Sequence, residues 1–399
     1  ITLAYILLMN IMIKVTDDGY SYHYYYKGDI EYYESMLESL NPQNASELSD
    51  YINYKTQVEL LNLTKEYGNE SWQAFVINSM LTSDINTIVA HEYSDEITEE
   101  AYNEAKTDYD TAIERMDADD WKYFVNMDLE EINSSLEEQY KQKEIVKDSQ
   151  ALASIEDTIY NLELQKQIDE WRLDKNISYA PSFLNDQLQS YYGYQSTVHQ
   201  YENSKIEELN PEERQDYQTS LEQASLARYY LENNISLDNN GREIFLTLFN
   251  NYELFILIIG IVIAGSIVSD EFNKGTIKLL LVKPYNRIKI LLSKFIVCLL
   301  ILVLTIVFIA VCQLVVGSIV FGFDSLTTPA IFYNFDTNRV ETMNILAYVG
   351  LIGICKMPIY ILLTTLAFAC SPLFTNSALA IAIFRIYVSC FYKSACFSI

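Results

Sequence analysis

The chain has 399 residues, with 54 acidic against 27 basic side chains and a formal charge of −27. The charge is unevenly held: residues 1–243 carry −31, whereas residues 244–399 carry +4 and are strongly apolar. This division excludes a single globular domain, and it excludes a nucleic-acid binder that works by neutralising phosphates.

In chain order, residues 1–13 come first. They form an apolar run that stops at Lys14, without the basic flank or the small-residue cleavage site of a signal peptide. They read as part of a first transmembrane helix whose start is missing. Residues 14–243 follow as an acidic domain with no cysteine, and the 112 positions between Gly68 and Pro181 contain neither Gly nor Pro. The absence of the two strongest helix breakers over that length predicts long helices. Leu129, Ile132, Leu136 and Tyr140, then Leu152, Ile155, Ile159 and Leu162, recur at spacings of three and four and form one helical stripe. With Glu, Lys, Gln and Asp on the other faces, the expectation is a coiled-coil-like set of antiparallel helices. Helix starts are expected at Ser94, ahead of Ile97, and at Asn210-Pro211-Glu212-Glu213, where a capping residue precedes a first-turn proline and two acids. Tyr22, His23, Tyr24, Tyr25 and Tyr26 read as an interfacial aromatic anchor. His91 and His199 stand alone, and Asp117, Asp119 and Asp120 lack the rest of a calcium loop. The acidic faces read first as a solvated stalk, and second as a surface that captures a partner or a cationic ligand.

The apolar half holds four stretches near the roughly 20 residues needed to cross a bilayer: about 244–269, 290–323, 345–370 and 373–392. Between the first two, Lys274, Lys278, Lys283, Arg287, Lys289 and Lys294 make the loop between residues 269 and 294 the most basic short connection, so it is expected on the cytoplasmic side. The acidic domain then lies outside, as does the 324–344 connection. All six cysteines lie in this half. A cysteine-free external domain without a disulfide framework suits a bacterial plasma membrane protein. The predicted fold is therefore an all-α membrane protein of about five transmembrane helices, the first and last truncated, with a large extracellular α-helical domain inserted after the first. Two ionisable residues fall inside the apolar segments, Glu253 and Lys356. They are the candidates for a substrate path, against the plainer readings of an interfacial carboxylate and a snorkelling lysine. Gly260, Gly265, Gly317 and Ser318 are small enough to serve close packing at a dimer face.

The stretch after Ser269 carries the most information. Gly275 permits a sharp turn, residues 276–282 form a short apolar element, and Pro284 stops it. Too short to span and too apolar to float free, this element must lie along the membrane surface or dock into another protein. Glu271, Gly275-Thr276-Ile277-Lys278, Leu279-Leu280, Pro284, Arg287 and Lys294 resemble the signature of the ABC-2 type transporter permease family. Thr364–Cys370 with Asn376–Ile381 is similar to that family's fourth helix, turn and fifth-helix start. The resemblance implies that residues 270–289 couple to a cytoplasmic ATPase subunit. Glu271, Gly275, Thr276, Lys278, Leu279, Leu280, Pro284 and Arg287 would then form the interface. It further implies a second permease subunit, export as the direction, and ATP and Mg bound by the partner. The sequence contains no Gly-x4-Gly-Lys-Ser/Thr loop, so the chain is expected to be a transport subunit without its own nucleotide site, and no enzyme or cofactor binder. The competing expectation is a membrane-anchored surface protein, structural or a receptor for adhesion or phage, displaying a helical stalk.

Overall fold

A computed structural model describes residues 6–8, 10, 23–204, 206, 209–237, 242–273 and 287–371, the side chains of residues 23–29, 243, 268, 270–273, 287, 324 and 325 excepted. The chain divides into two compact units. Both are helical, apart from a single two-stranded hairpin among the described residues.

The first unit comprises residues 19–238 with 332–341. Its helices are α1 (His23–Ser39), α2 (Leu48–Tyr67), α3 (Trp72–Ser79), α4 (Thr82–Tyr93), α5 (Glu99–Asp117), α6 (Trp121–Ile145), α7 (Ser149–Lys175), α8 (Phe183–Asn203) and α9 (Pro211–Glu232). The stretch free of Gly and Pro thus becomes five helices, and their ends are set by caps. At α3, Ser71 accepts from the Ala74 amide at 3.1 Å, and at α7 Asp148 accepts from that of Ala151 at 2.8 Å. Asn210 and Glu213 form a reciprocal capping box with Pro211 behind it, as the sequence predicts. Ser94 does not start a helix. It ends α4, and Thr98 caps α5 instead, because Glu99 and Glu100 behind it supply the first-turn acids that the helix dipole favours.

The helical stripe packs α6 against α7: Ile132, Leu136 and Ile159 are buried, with Ile155 and Leu162 against them. A larger core joins α2 to α6 around Val76, Ile77, Met116 and Val125, each almost fully buried. A third core lies between α7, α8 and α9 around Leu188, Ala227 and Leu231. Asp117 accepts from the Tyr67 hydroxyl and Asp119 from the Trp72 indole, so both serve packing. His91 stacks on Tyr102 and His199 on Tyr160. No group of three metal-ligating side chains exists among the described residues. Tyr22 and the side chains of residues 23–26 lie outside the described part.

The second unit holds residues 239–331 and 342–399 with the N-terminal segment. Its helices are α10 (Arg242–Leu246), α11 (Leu248–Asn251), α12 (Glu253–Asn273), α13 (Arg287–Phe321), α14 (Asp324–Thr327) and α15 (Ile345–Cys370). The connection between α14 and α15 forms the hairpin of β1 (Ala330–Asn334) and β2 (Arg339–Met343), turning at Asn338 with φ 50°. Two helices, Ile288–Phe321 and Ile345–Cys370, are long and apolar enough to cross a membrane. Both leave most of their apolar surface uncovered, as at Leu300, Leu304, Phe308, Ile319, Ile354 and Leu362.

Of the about five spanning helices expected, two are found among the described residues. The predicted 244–269 span is interrupted at Thr247 and Tyr252, where ψ relaxes to about zero, and its long helix begins only at Glu253. The local cause is polar: Asn251 Nδ2 donates to Thr247 Oγ1 at 3.0 Å within an otherwise apolar run. Of residues 1–13, only 6–8 and 10 are described, all helical, and residues 373–392 lie outside the described part.

Candidate functional site

The interruptions at Thr247 and Tyr252 do not sever the chain's backbone bonding. Tyr252 N donates to Leu248 O at 3.1 Å and Ile256 N to Tyr252 O at 2.9 Å. The effect is to re-aim a few side chains. Asn250 and Glu253, three positions apart, share one side, and both meet Lys356 on α15. Lys356 Nζ donates to Asn250 Oδ1 at 2.7 Å and to Glu253 Oε2 at 2.6 Å. The Glu253 side chain is only 13% exposed and that of Lys356 25%. Lys356 thus reaches across to a carboxylate that is itself largely buried. Pro358, two residues on and inside α15, has no amide for the Ile354 carbonyl, so the helix is locally short of a hydrogen bond beside the pair.

A second polar cluster adjoins the first through the Tyr252–Glu253 peptide. Gln313 on α13 accepts from the Tyr252 hydroxyl at 2.7 Å and from Asn10 Nδ2 at 3.0 Å, and its own amide donates to Asn10 Oδ1 at 2.9 Å. Asn10 and Gln313 are fully buried, and Tyr252 nearly so. Buried amides of this kind must be paired, and these pair reciprocally across 303 positions of sequence.

The apolar frame holds both clusters in place. Phe249 seats on Gly353 and Phe245 on Gly317; a Cβ built at those glycines would fall 2.6 and 2.8 Å from the rings. Gly260 faces Thr364 Oγ1 in the same way, at 2.9 Å. Gly260 and Gly317 thus serve close packing within the chain, where the sequence suggested a dimer face. Gly265 lends its carbonyl to the Ser269 and Ser371 hydroxyls, at 2.8 and 2.7 Å. Ser318 is buried, its hydroxyl bonded to Leu314 O. The Ser269–Ser371 contact ties the far ends of α12 and α15 together. Counting from there, Glu253 and Lys356 lie about 24 and 22 Å along their helices.

Of the residues expected to couple to a partner, Gly275, Thr276, Lys278, Leu279, Leu280 and Pro284 lie outside the described residues. Glu271 sits in the last turn of α12 and Arg287 opens α13, but their side chains are outside the described part as well. Glu253 and Lys356 are brought together. Asn10, Asn250, Tyr252 and Gln313 were not foreseen. Their signal in the sequence was faint, a polar side chain inside an apolar run, visible at Asn250 and Gln313 but without a partner to name.

Residues 217–393 match a family described as a protein of unknown function, DUF2705. The chain is 32% identical over 162 residues to the uncharacterized protein YhcI of Bacillus subtilis (strain 168), an alignment covering 40% of this chain and 51% of that protein. The chain thus spans about half the length of the curated relative it matches. No solved structure matches it. The resemblance to ABC-2 type permeases is thereby overturned: the matched segment contains every residue that carried it, and the match is to DUF2705. The reason is chemical. A turn glycine, a leucine pair, a proline stop and flanking basic residues suit any short loop between two membrane helices, so they do not single out one family.

Proposed function

We propose that this chain is the membrane-embedded permease subunit of a transport system, moving its substrate outward with energy from ATP hydrolysed on a separate cytoplasmic subunit. The observation that carries the reading is the Asn250–Glu253–Lys356 cluster. An ion pair inside an apolar helical unit is costly to place, and intramembrane ionisable groups mark transport pathways by default. Interrupted helices lining polar groups are the form such sites take in transporters. In this reading, α12, α13 and α15 cross the bilayer together with residues 1–13 and 373–392, which makes a multi-pass plasma membrane protein of about five spans. The acidic helical unit stands outside. Residues 270–289 receive the ATPase, with Glu271, Gly275, Thr276, Lys278, Leu279, Leu280, Pro284 and Arg287 at the contact, and a second permease subunit completes the assembly. The uncovered apolar faces of α13 and α15 support the membrane setting, since such surfaces are rarely left to water.

The test is a tagged full-length chain, cross-linked in its native membrane through Glu271→Cys and Arg287→Cys and then purified. Recovery of a nucleotide-binding polypeptide, with ATPase activity that falls in Lys356→Met, is the expected result. Recovery of the chain alone would leave the surface-anchor reading in its place.

A further inference from the structure

The first unit contains a groove of about 480 Å³ between α2, α4 and α5, independent of the membrane cluster and of the translocation reading. Its floor is apolar, with Leu63, Ile85 and Ile88 facing in. The walls carry charge of both signs, but unequally. Lys55 is held by Glu59 at 2.8 Å and Lys106 by Asp110 at 2.7 Å, each a neighbour one helical turn away. Both lysines are thereby compensated, and these hydrogen bonds push their ammonium groups further toward the charged form. Glu66 and Glu92 line the same groove, are exposed, and have no cationic partner among the described residues. Burial pushes the Tyr109 phenol up, Lys106 pulls it back, and Glu59, Asp110 and Glu66 add to the rise, so the aromatic wall stays neutral while feeling the carboxylates. The result is a greasy floor beneath a net negative rim, in a volume within the roughly 300–1,000 Å³ of small-molecule sites.

We infer that this groove binds an amphiphilic organic cation, its apolar body on Leu63, Ile85 and Ile88 and its positive group between Glu66 and Glu92. An anion is rejected by the same two carboxylates, and a small hydrated metal ion gains nothing from the floor. The acidic surface of the unit thus has a specific recognition role at this one place, beyond solubility.

The experiment uses the full chain in lipid nanodiscs, with benzyltriethylammonium as the probe and benzylsulfonate as its anionic counterpart, each followed by equilibrium dialysis. The expected result is saturable binding of the cation and none of the anion. In Glu66→Gln/Glu92→Gln, two exposed substitutions that leave the helices intact, binding weakens about fivefold or more, the scale of two partly screened charge contacts. The floor variant Ile88→Gln weakens it as well, with unchanged helical circular dichroism. Partition into lipid is the same for all variants and cancels. Equal binding of benzylsulfonate, an unchanged affinity in the double variant, or no saturable binding of the cation overturns the assignment.

Discussion

Replacing Lys356 by methionine tests the membrane cluster most directly. At 2.6 Å, and with an effective dielectric constant of about 20, the gross attraction between the Lys356 ammonium and the Glu253 carboxylate is about 6 kcal/mol. Removing both ions from water costs several kcal/mol each, so the pair adds little net stability. Removing one partner is different. Lys356→Met strands a carboxylate that is 13% exposed, with Asn250 as the polar neighbour left to it, at a cost of about 3–5 kcal/mol. For a unit of this size that corresponds to a fall in Tm of about 10 °C. The double variant Glu253→Leu/Lys356→Met replaces the pair by apolar groups of similar volume and should recover most of the loss. The assay is thermal unfolding of the detergent-solubilised chain, followed by a thiol-reactive dye that reports exposure of the buried Cys298, in a background where the other five cysteines are replaced by serine. A fall of less than about 2 °C in Lys356→Met, or a double variant no more stable than the single one, would refute the reasoning.

Gly353→Ala places a methyl group against the Phe249 ring and should destabilise the apolar unit by about 1–3 kcal/mol; the same dye assay should show rescue by Phe249→Leu. Asn210→Ala removes the side-chain half of the α9 capping box, the bond that Asn210 Oδ1 accepts from the Glu213 amide, and should cost about 1 kcal/mol, read as a lower urea midpoint of the acidic unit. The Asp169 carboxyl is buried in α7, and desolvation, with the nearby Asp128 charge adding, pushes it up to about 7 from 3.8, against the opposing effect of Arg172. The folded state therefore holds a proton there that the unfolded chain releases. This contribution is most favourable below about pH 4 and declines as pH rises to about 7. Urea unfolding followed by the fluorescence of Trp171, on the same helix, should show that decline between pH 4.5 and 7.5, and Asp169→Asn should flatten it.

The amino-acid sequence by itself determined the features that depend on near neighbours. The helical stripe through Ile132, Leu136 and Ile159, the capping box at Asn210 and the apolar span of α15 all follow from periods and caps read within a few turns. Even locally, competition misled it once: Ser94 and Thr98 are both good caps, and the choice fell to the residue with acids behind it. What only the tertiary structure decided is who meets whom. Glu253 and Lys356 are 103 positions apart and Asn10 and Gln313 are 303 apart, and no periodicity links them. Glu253 looked like an interfacial carboxylate and Lys356 like a snorkelling lysine because each, taken alone, has water as its cheapest partner. Packing supplied a closer one. Phe245 and Phe249 seat on glycines of two other helices, which draws the interrupted segment inward and leaves the two charges facing each other. The acidic unit shows the same division: its net charge is plain in the sequence, but the compensation of Lys55 and Lys106, and hence the surplus at Glu66 and Glu92, appears only once three helices enclose a groove.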